Sequence, residues 1–498
     1  MRSHLCIFCI FSLTWSQASV IMPIMPDRDP APSLGLTGAT VNAMALIAPG
    51  AFLWITYQLQ AAATAPDGSS VATDMWPGIL LALVIALLSA VSYAELARKY
   101  PEAGFGSCYY FAGQALVGTK RWARLAKLAT GWAAHLYYWV YPGTMVAFMA
   151  TLVGYIYTQV TGGTMSTLAL VLFSIVFALL AGFVAVRGVT GSTLTSLVIN
   201  VVQLVTLVGF SVLALLYRVT HTSGTWVFQS AVDVVRPHSI QGVLIQSTLA
   251  MLILVGFESC TALAAETKDA HRNIPRAVIL SLVIQGAFAY LLEYFAANYA
   301  QTNMTAAAAS SAPLGDLAIL IGSRALMLSM AITVVLALLG TTLSCINTAA
   351  RVSYAMAKDR EMPELLGGLH GRFASPSRAV WALVAFSCVI ATIGVQSVIG
   401  LTGITLASNF GTFALYGMTC LWTYMAFARD ERRRFVRHVL VPGLGLAANA
   451  AMLLAILYFA GKEKYICFGI AGGWALVSIA YVSVTSLRDR RPLLPEAG

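Results

Sequence analysis

Apolar residues fall along this chain in twelve long blocks separated by short polar stretches. They lie near 34–58, 75–97, 128–158, 167–186, 192–217, 240–265, 276–300, 317–350, 379–398, 400–427, 438–460 and 465–486. Most are about as long as a helix needs to cross a hydrocarbon core, roughly 20 residues for a thickness of about 30 Å. The third and eighth are long enough to tilt or to include extramembrane turns. The pattern predicts an all-α polytopic membrane protein with twelve transmembrane helices. One block breaks the pattern from within. In "VGFESC" (255–260) a carboxylate, Glu258, stands beside a glycine in the middle of the sixth block.

Composition agrees with the pattern. Of 498 residues, 59% are hydrophobic and 10% are Asp, Glu, Lys or Arg, against about 25% charged in soluble domains. Charge then sets the orientation. Twenty-five of the 30 Lys and Arg lie at the termini or after even-numbered spans, and the alternate loops hold only Arg218, Arg236, Arg324, Lys462 and Lys464. That asymmetry predicts both termini on the cytoplasmic side of the inner membrane. The net charge of +10 is therefore a topology signal, and no basic stripe outside the short loops points to nucleic acid.

The start, "MRSHLCIFCIFSLTWSQAS", imitates a signal peptide with its basic beginning and short apolar stretch. A multispan protein with a cytoplasmic N-terminus has no use for one. We read it as a start assigned too early, with Met22 or Met25 the natural first residue; the alternative is a disordered apolar tail. The eight cysteines are scattered, mostly within spans, and imply no disulfide framework. Cys6 and Cys9 form a CxxC without a second pair.

Enzyme motifs are missing: the chain has no HExxH, GxSxG or Walker A sequence, and no metal-ligand cluster. His135 is the one histidine well inside a span, and an interhelix hydrogen bond outweighs a proton relay as its role. The repeated filter loops or rings of like residues that mark channels are also missing. No cofactor and no obligate protein partner is implied.

Two helices carry breakers five spans apart. The first span holds Ala48-Pro49-Gly50-Ala51 at its centre, and the sixth holds Gly256-Phe257-Glu258-Ser259 at the matching depth. Proline removes an N–H and disfavours helix at the residue before it, while glycine permits turns other residues resist. Breaks free backbone polar groups, which the membrane tolerates only where they line a cavity or meet a ligand. A single break reads as an ordinary kink. Two at corresponding depth in inverted halves read as a binding site. A half-helix beginning near Gly50 aims N–H groups at a carboxylate, and one ending near Val255 aims carbonyls at an amine. A ligand with both groups close together is an α-amino acid.

Three blocks carry a resemblance. "GFESCTALAAETKDAHRNIPRAV" (256–278), "SYAELARKYPEAGFGSCYYF" (92–111) and "NTAARVSYAMAKDREMPELL" (347–366) resemble the sixth-span, second-span and eighth-span ends of amino acid–polyamine–organocation (APC) transporters. The resemblance implies a LeuT-like fold with five plus five inverted spans, discontinuous first and sixth helices and two extra C-terminal helices. It implies secondary transport of amino acids or amines. The units expected are a tail over 1–32, a first repeat over 33–217, a second over 240–427, the added helices over 437–486 and a cytoplasmic tail over 487–498. The substrate loops map to Ala48, Pro49, Gly50 and Ala51 and to Gly256, Phe257, Glu258 and Ser259, with Phe257 a gate over the substrate. This chain has A-P-G-A where many relatives have a glycine-richer pattern. The segment 106–128 reads as an amphipathic cytoplasmic gate helix; the plainer reading, a surface helix held by anionic lipid, is compatible with that role.

Other polar residues fill in the expected site. Tyr137 and Tyr138 are placed to face the cavity, or to serve as interface aromatics. Asn409, Thr341 and Ser344 either reach the site or hydrogen-bond between helices, and Glu293 is expected to reach water at the outer end of its span. Glu95, Glu102 and Glu266 are expected to pair with nearby basic residues as a cytoplasmic gate. A polyamine would need further cavity acids, and only Glu293 offers itself, so amino acids are favoured over polyamines. An unpaired ionised acid at mid-membrane is costly, so Glu258 is expected to be protonated when dry or to face a wet cavity; the plainer alternative is a neutral acid bonded to unwound backbone. Many relatives carry a lysine in the fifth span. Aligning on Gly188, Val189 and Ser192 puts Gln203 at that position, and no Lys or Arg lies between Arg187 and Arg218. An amide cannot exchange a proton near neutral pH. Coupling is thus expected to be exchange, or a proton carried elsewhere with Glu258 the first candidate and Ser344 nearby.

Overall fold

In the computed structural model of the chain, residues 34–47, 53–101, 107–116, 120–187, 193–371, 373 and 375–488 are described. The elements are helices: α1 (Leu36–Ile47), α2 (Leu53–Ala61), α3 (Met75–Lys99), α4 (Ser107–Ala115), α5 (Lys120–Thr161) and α6 (Thr167–Val186). They continue as α7 (Thr193–Thr220), α8 (Ala231–Val235), α9 (Ile240–Ala250), α10 (Ala270–Leu282), α11 (Leu291–Ala300) and α12 (Met304–Ala309). The chain closes with α13 (Pro313–Ile321), α14 (Arg324–Lys358), α15 (Ser377–Gly394), α16 (Val398–Ala426), α17 (Val441–Phe459) and α18 (Lys464–Arg488). Among the described residues eleven helical stretches are long and apolar enough to cross a membrane. The predicted first span is represented by α1 and α2. Ala48, Pro49, Gly50 and Ala51, and the alignment residues Gly188, Val189 and Ser192, lie outside the described residues.

Helix is the form lipid demands, because it satisfies each backbone group within its own segment. The exposed N-termini are stopped locally: the hydroxyls of Ser166, Ser239, Ser323 and Ser397 each accept a backbone N–H from the first turn. Two boundaries differ from expectation. The segment 106–128 is not one gate helix: α4 covers its first part, and from Lys120 the chain is already in α5. At 42 residues and 1.5 Å per residue, α5 spans about 63 Å, about twice the hydrocarbon thickness, so its basic first turns extend past the apolar core. The eighth span begins at Arg324, and 317–321 belong to the separate α13, which Gly322 and the cap at Ser323 divide from it.

The long α5 is the central pillar, packed against α14, α15 and α16. α16 approaches it without room for a side chain: a Cβ at Gly411 would lie 2.6 Å from the Tyr137 nitrogen. α1 sits inside the bundle against α10, α14 and α7. α6 and α18 lie outermost, with Leu168, Leu172, Leu180, Leu476 and Ile479 exposed as a lipid-covered face would be.

Candidate functional site

The sixth span breaks at the expected glycine, but its first half-helix ends at Ala250, five residues before the expected end near Val255. α9 ends at Ala250, a 3-10 turn follows over Met251–Ile253, and a second 3-10 segment runs over Phe257–Glu266. Gly256 between them takes φ +126°, a conformation that L side chains resist. A Cβ there would also come within 2.9 Å of the Leu46 side chain. Two constraints therefore coincide at this glycine.

Breaking the helix frees carbonyls, and other helices supply donors. The Asn409 amide on α16 donates to the Thr248 carbonyl at 2.7 Å. The last carbonyls of α1 are met the same way. Gln285 donates to Met44 at 2.9 Å, Thr341 to Ala45 at 2.9 Å and Tyr290 to Ile47 at 3.1 Å. Asn409 and Thr341 thus make the interhelix hydrogen bonds that were one of their two expected roles. Ser344 lies one turn from Thr341, half-buried.

Glu258 is fully enclosed. Its Oε2 accepts from the Tyr416 hydroxyl at 2.7 Å and from the Gly256 N–H at 3.1 Å, and its Oε1 lies 3.5 Å from the Tyr138 hydroxyl. Thr261 donates to the Glu258 carbonyl at 2.6 Å, and the Thr261 hydroxyl in turn bonds Ser107 on α4. Phe257 closes one side, its ring 6.0 Å from Tyr93 and 5.1 Å from Tyr416, while Tyr137 packs at 4.5 Å on Tyr138. The buried Ser259 hydroxyl has no hydrogen-bond partner among the described residues. Five predicted residues, Gly256, Phe257, Glu258, Ser259 and Tyr137, thus belong to one enclosed region. Tyr93 and Tyr416 were missed, since nothing in a span separates a site tyrosine from a packing one.

Two cavities flank this region. On the side away from the basic loops, one of about 90 Å³ is bordered by Leu59, Thr248, Leu249, Thr402 and Leu406. On the basic side, one of about 430 Å³ is bordered by Tyr109, Tyr110, Arg124, Lys127 and Glu361.

Ion pairs on the basic side tie α5 to the residues just after α14, α14 to the end of the sixth span, and α3 to the segment that leads into α17. Arg124 grips Glu361 through two nitrogens at 2.9 and 3.1 Å, and Lys127 reaches Asp359 at 2.6 Å. Arg351 meets Glu266 at 3.0 Å, and Glu95 is held by Arg98 at 2.7 Å and His438 at 3.3 Å. Glu102 lies outside the described residues. Asp359 and Glu361 had not been singled out, although "KDRE" (358–361) advertises charge at a span end.

His135 bridges α5 to α14, with Nδ1 at 2.6 Å from the Gly131 carbonyl and Nε2 at 2.9 Å from the Ser353 hydroxyl. Glu293 corrects an expectation. It is 1% exposed, and it shares a small cavity with Gln203 and Trp54. It lies in α11, which follows the π-helical segment Val283–Tyr290. Among the described residues no cluster of His, Cys, Asp and Glu could hold a metal ion.

Known proteins resemble this chain in sequence over most of its length. Residues 51–481 match the amino acid permease family. An uncharacterized transporter of Mycobacterium bovis is 28% identical over 427 residues, covering 85% of this chain and 86% of its own. A low-affinity putrescine importer of Escherichia coli is 23% identical over 419 residues, 83% of this chain and 86% of its own. A branched-chain amino acid permease of Bacillus subtilis is 22% identical over 401 residues, 76% of this chain and 80% of its own. A bundle of membrane-length helices around a sixth span broken at Gly256, matched over most of its length, belongs to the amino acid permease family of the APC superfamily.

Proposed function

We propose that this permease-type transporter carries amino acids by alternating access. Its substrate sits between residues 48–51 of the first span and 256–259 of the sixth. The observation that carries this reading is the enclosed Glu258 carboxylate at the Gly256 break, ringed by Tyr416, Tyr138 and Phe257. The substrate ammonium is drawn to this carboxylate and to the carbonyl end of α9, and the substrate carboxylate to N–H groups at the first-span motif. A cavity bordered by Thr248 and Leu249 near the end of α9 and another bordered by Tyr109 and Arg124 among the basic residues support this reading. The basic face is cytoplasmic, its ion pairs close the inner gate, and 33–217 and 240–427 are the inverted halves.

A second reading, an organic amine or polyamine substrate, has the aromatic ring around Glu258 in its favour, since aromatic faces attract cations; a relative is a putrescine importer. A diamine calls for a second acid, and Glu293 borders a separate cavity, so amino acids fit better. Competition of single amino acids and putrescine against labelled leucine in proteoliposomes tests the choice. Inhibition by neutral amino acids with little effect of putrescine is expected. The reverse order overturns the amino acid reading, and turnover of a probe without saturable exchange overturns transport itself.

A further inference from the structure

The buried acid that the substrate site leaves over is Glu293. On the side away from the basic loops, its Oε2 and the Oε1 of Gln203 are both buried without a hydrogen-bond partner among the described residues. Both residues border one cavity of about 10 Å³, together with Trp54 of α2, Thr206 of α7 and Thr333 of α14. Such a volume admits about one water. Each unpartnered atom is an acceptor, so only a donor or a cation placed between the two residues satisfies both.

Charged groups on the surrounding elements are engaged elsewhere. Arg218 of α7 donates to the Phe228 carbonyl at 3.1 Å and lies over the Trp226 ring. Asp74, just before α3, accepts from the His238 N–H at 2.7 Å, and Asp316 of α13 accepts from Tyr155 at 2.7 Å. Asp233 of α8 caps its own helix at Ser230, and Arg324 is exposed at the start of α14. The neighbouring phenols are bonded, Tyr57 to Asn298 and Tyr294 to Gln60. Nothing among them neutralises Glu293.

We propose that Glu293 and Gln203 form a proton site that the transport cycle loads and empties. The inference rests on the transport reading. A proton taken up by the Glu293 carboxylate becomes an O–H that donates to the Gln203 oxygen, joining α11 to α7 behind Trp54. Once the proton leaves, two acceptors confront each other and the wall that bears Trp54 loosens. Trp54 belongs to α2, which follows directly on the first-span motif, so proton occupancy biases the position of that helix. Glu258, by contrast, already accepts from Tyr416 and Gly256, so we give it the substrate and give Glu293 the proton. Gln203 is then the proton's partner, although its own amide cannot exchange a proton near neutral pH.

The test uses the full chain reconstituted in liposomes, probed with labelled leucine, arginine and putrescine, and infrared spectroscopy of the same protein. Wild type at neutral pH is expected to show the carbonyl-stretch band of a protonated carboxyl that disappears in Glu293→Gln and shifts in Gln203→Leu. Glu293→Gln is expected to keep counterflow and lose all accumulation driven by a pH gradient. A band that survives Glu293→Gln, accumulation that survives it, or accumulation driven by sodium at equal pH overturns the proposal. If wild type moves none of the probes, the transport reading fails, and the infrared band alone decides whether Glu293 holds a proton.

Discussion

At the residue scale the chemistry gathers on two carboxyl groups with opposite surroundings. Glu258 is met by donors from its own backbone and from α16; Glu293 has an oxygen that nothing among the described residues meets. Glutamine at 258 keeps the shape but turns one oxygen into an NH₂, which then faces groups that themselves donate. A hydrogen bond to a charged group contributes about 1.5–3 kcal/mol, and about 1.4 kcal/mol is tenfold in affinity. Glu258→Gln should therefore weaken apparent substrate affinity in counterflow about tenfold or more. Tyr416→Phe, which removes one donor only, should weaken it less. Unchanged affinity, rate and pH profile in Glu258→Gln would leave Glu258 as a backbone prop without a substrate role.

At the element scale the broken helices are held by side chains from outside them. α1 depends on Gln285, Thr341 and Tyr290 for its last carbonyls, and α9 depends on Asn409. Interhelix hydrogen bonds in membranes contribute about 0.6–2 kcal/mol each. Thr341→Val and Gln285→Leu should each lower thermal stability in detergent by that amount. Their double variant should depart from additivity, because both act on the end of one helix. Gly256→Ala is a harsher change. It forces a side chain into φ +126° and against Leu46, a cost of about 1–3 kcal/mol for the backbone alone. We expect folded protein with little counterflow; near-normal transport would show that the break tolerates a Cβ and that its shape does not set the site.

At the scale of the whole molecule, the basic-side ion pairs are the contacts proposed to shut that face. Arg124–Glu361 and Lys127–Asp359 clamp α5 to the end of α14, and Ser107 and Thr261 tie α4 to the sixth span just beneath Glu258. Cys108 and Cys260 are buried free thiols behind this clamp. Combining Arg124→Ala with Lys127→Ala should raise maleimide labelling of both cysteines severalfold, read by peptide mass spectrometry, while Cys467 in α18 serves as a reference. Labelling that stays at the wild-type level would mean the face is held by packing and the pairs add little. The α5–α16 seam acts on stability directly. Gly411→Val should lower the melting temperature by several degrees, because the Tyr137 backbone has nowhere to move.

The family, the spans and the sixth-span break were all legible in the sequence because lipid imposes its rules locally. A crossing helix must be long and apolar, its flanking charges are biased by side, and Gly256 beside Glu258 is unusual in any such run. What the sequence could not determine was which groups meet. Tyr416 reaches Glu258 across 158 residues, Asn409 reaches Thr248 across 161, and Arg124 reaches Glu361 across 237. Such pairings follow from how helices are rotated against one another, and no periodicity within a single span records that rotation. Glu293 shows it most plainly. A carboxyl expected to reach water at the outer end of its span lies buried, bordering one cavity with Gln203 and Trp54 of two other helices. Local polarity decided that these helices cross the membrane, and only tertiary packing decided what each polar side chain meets inside it.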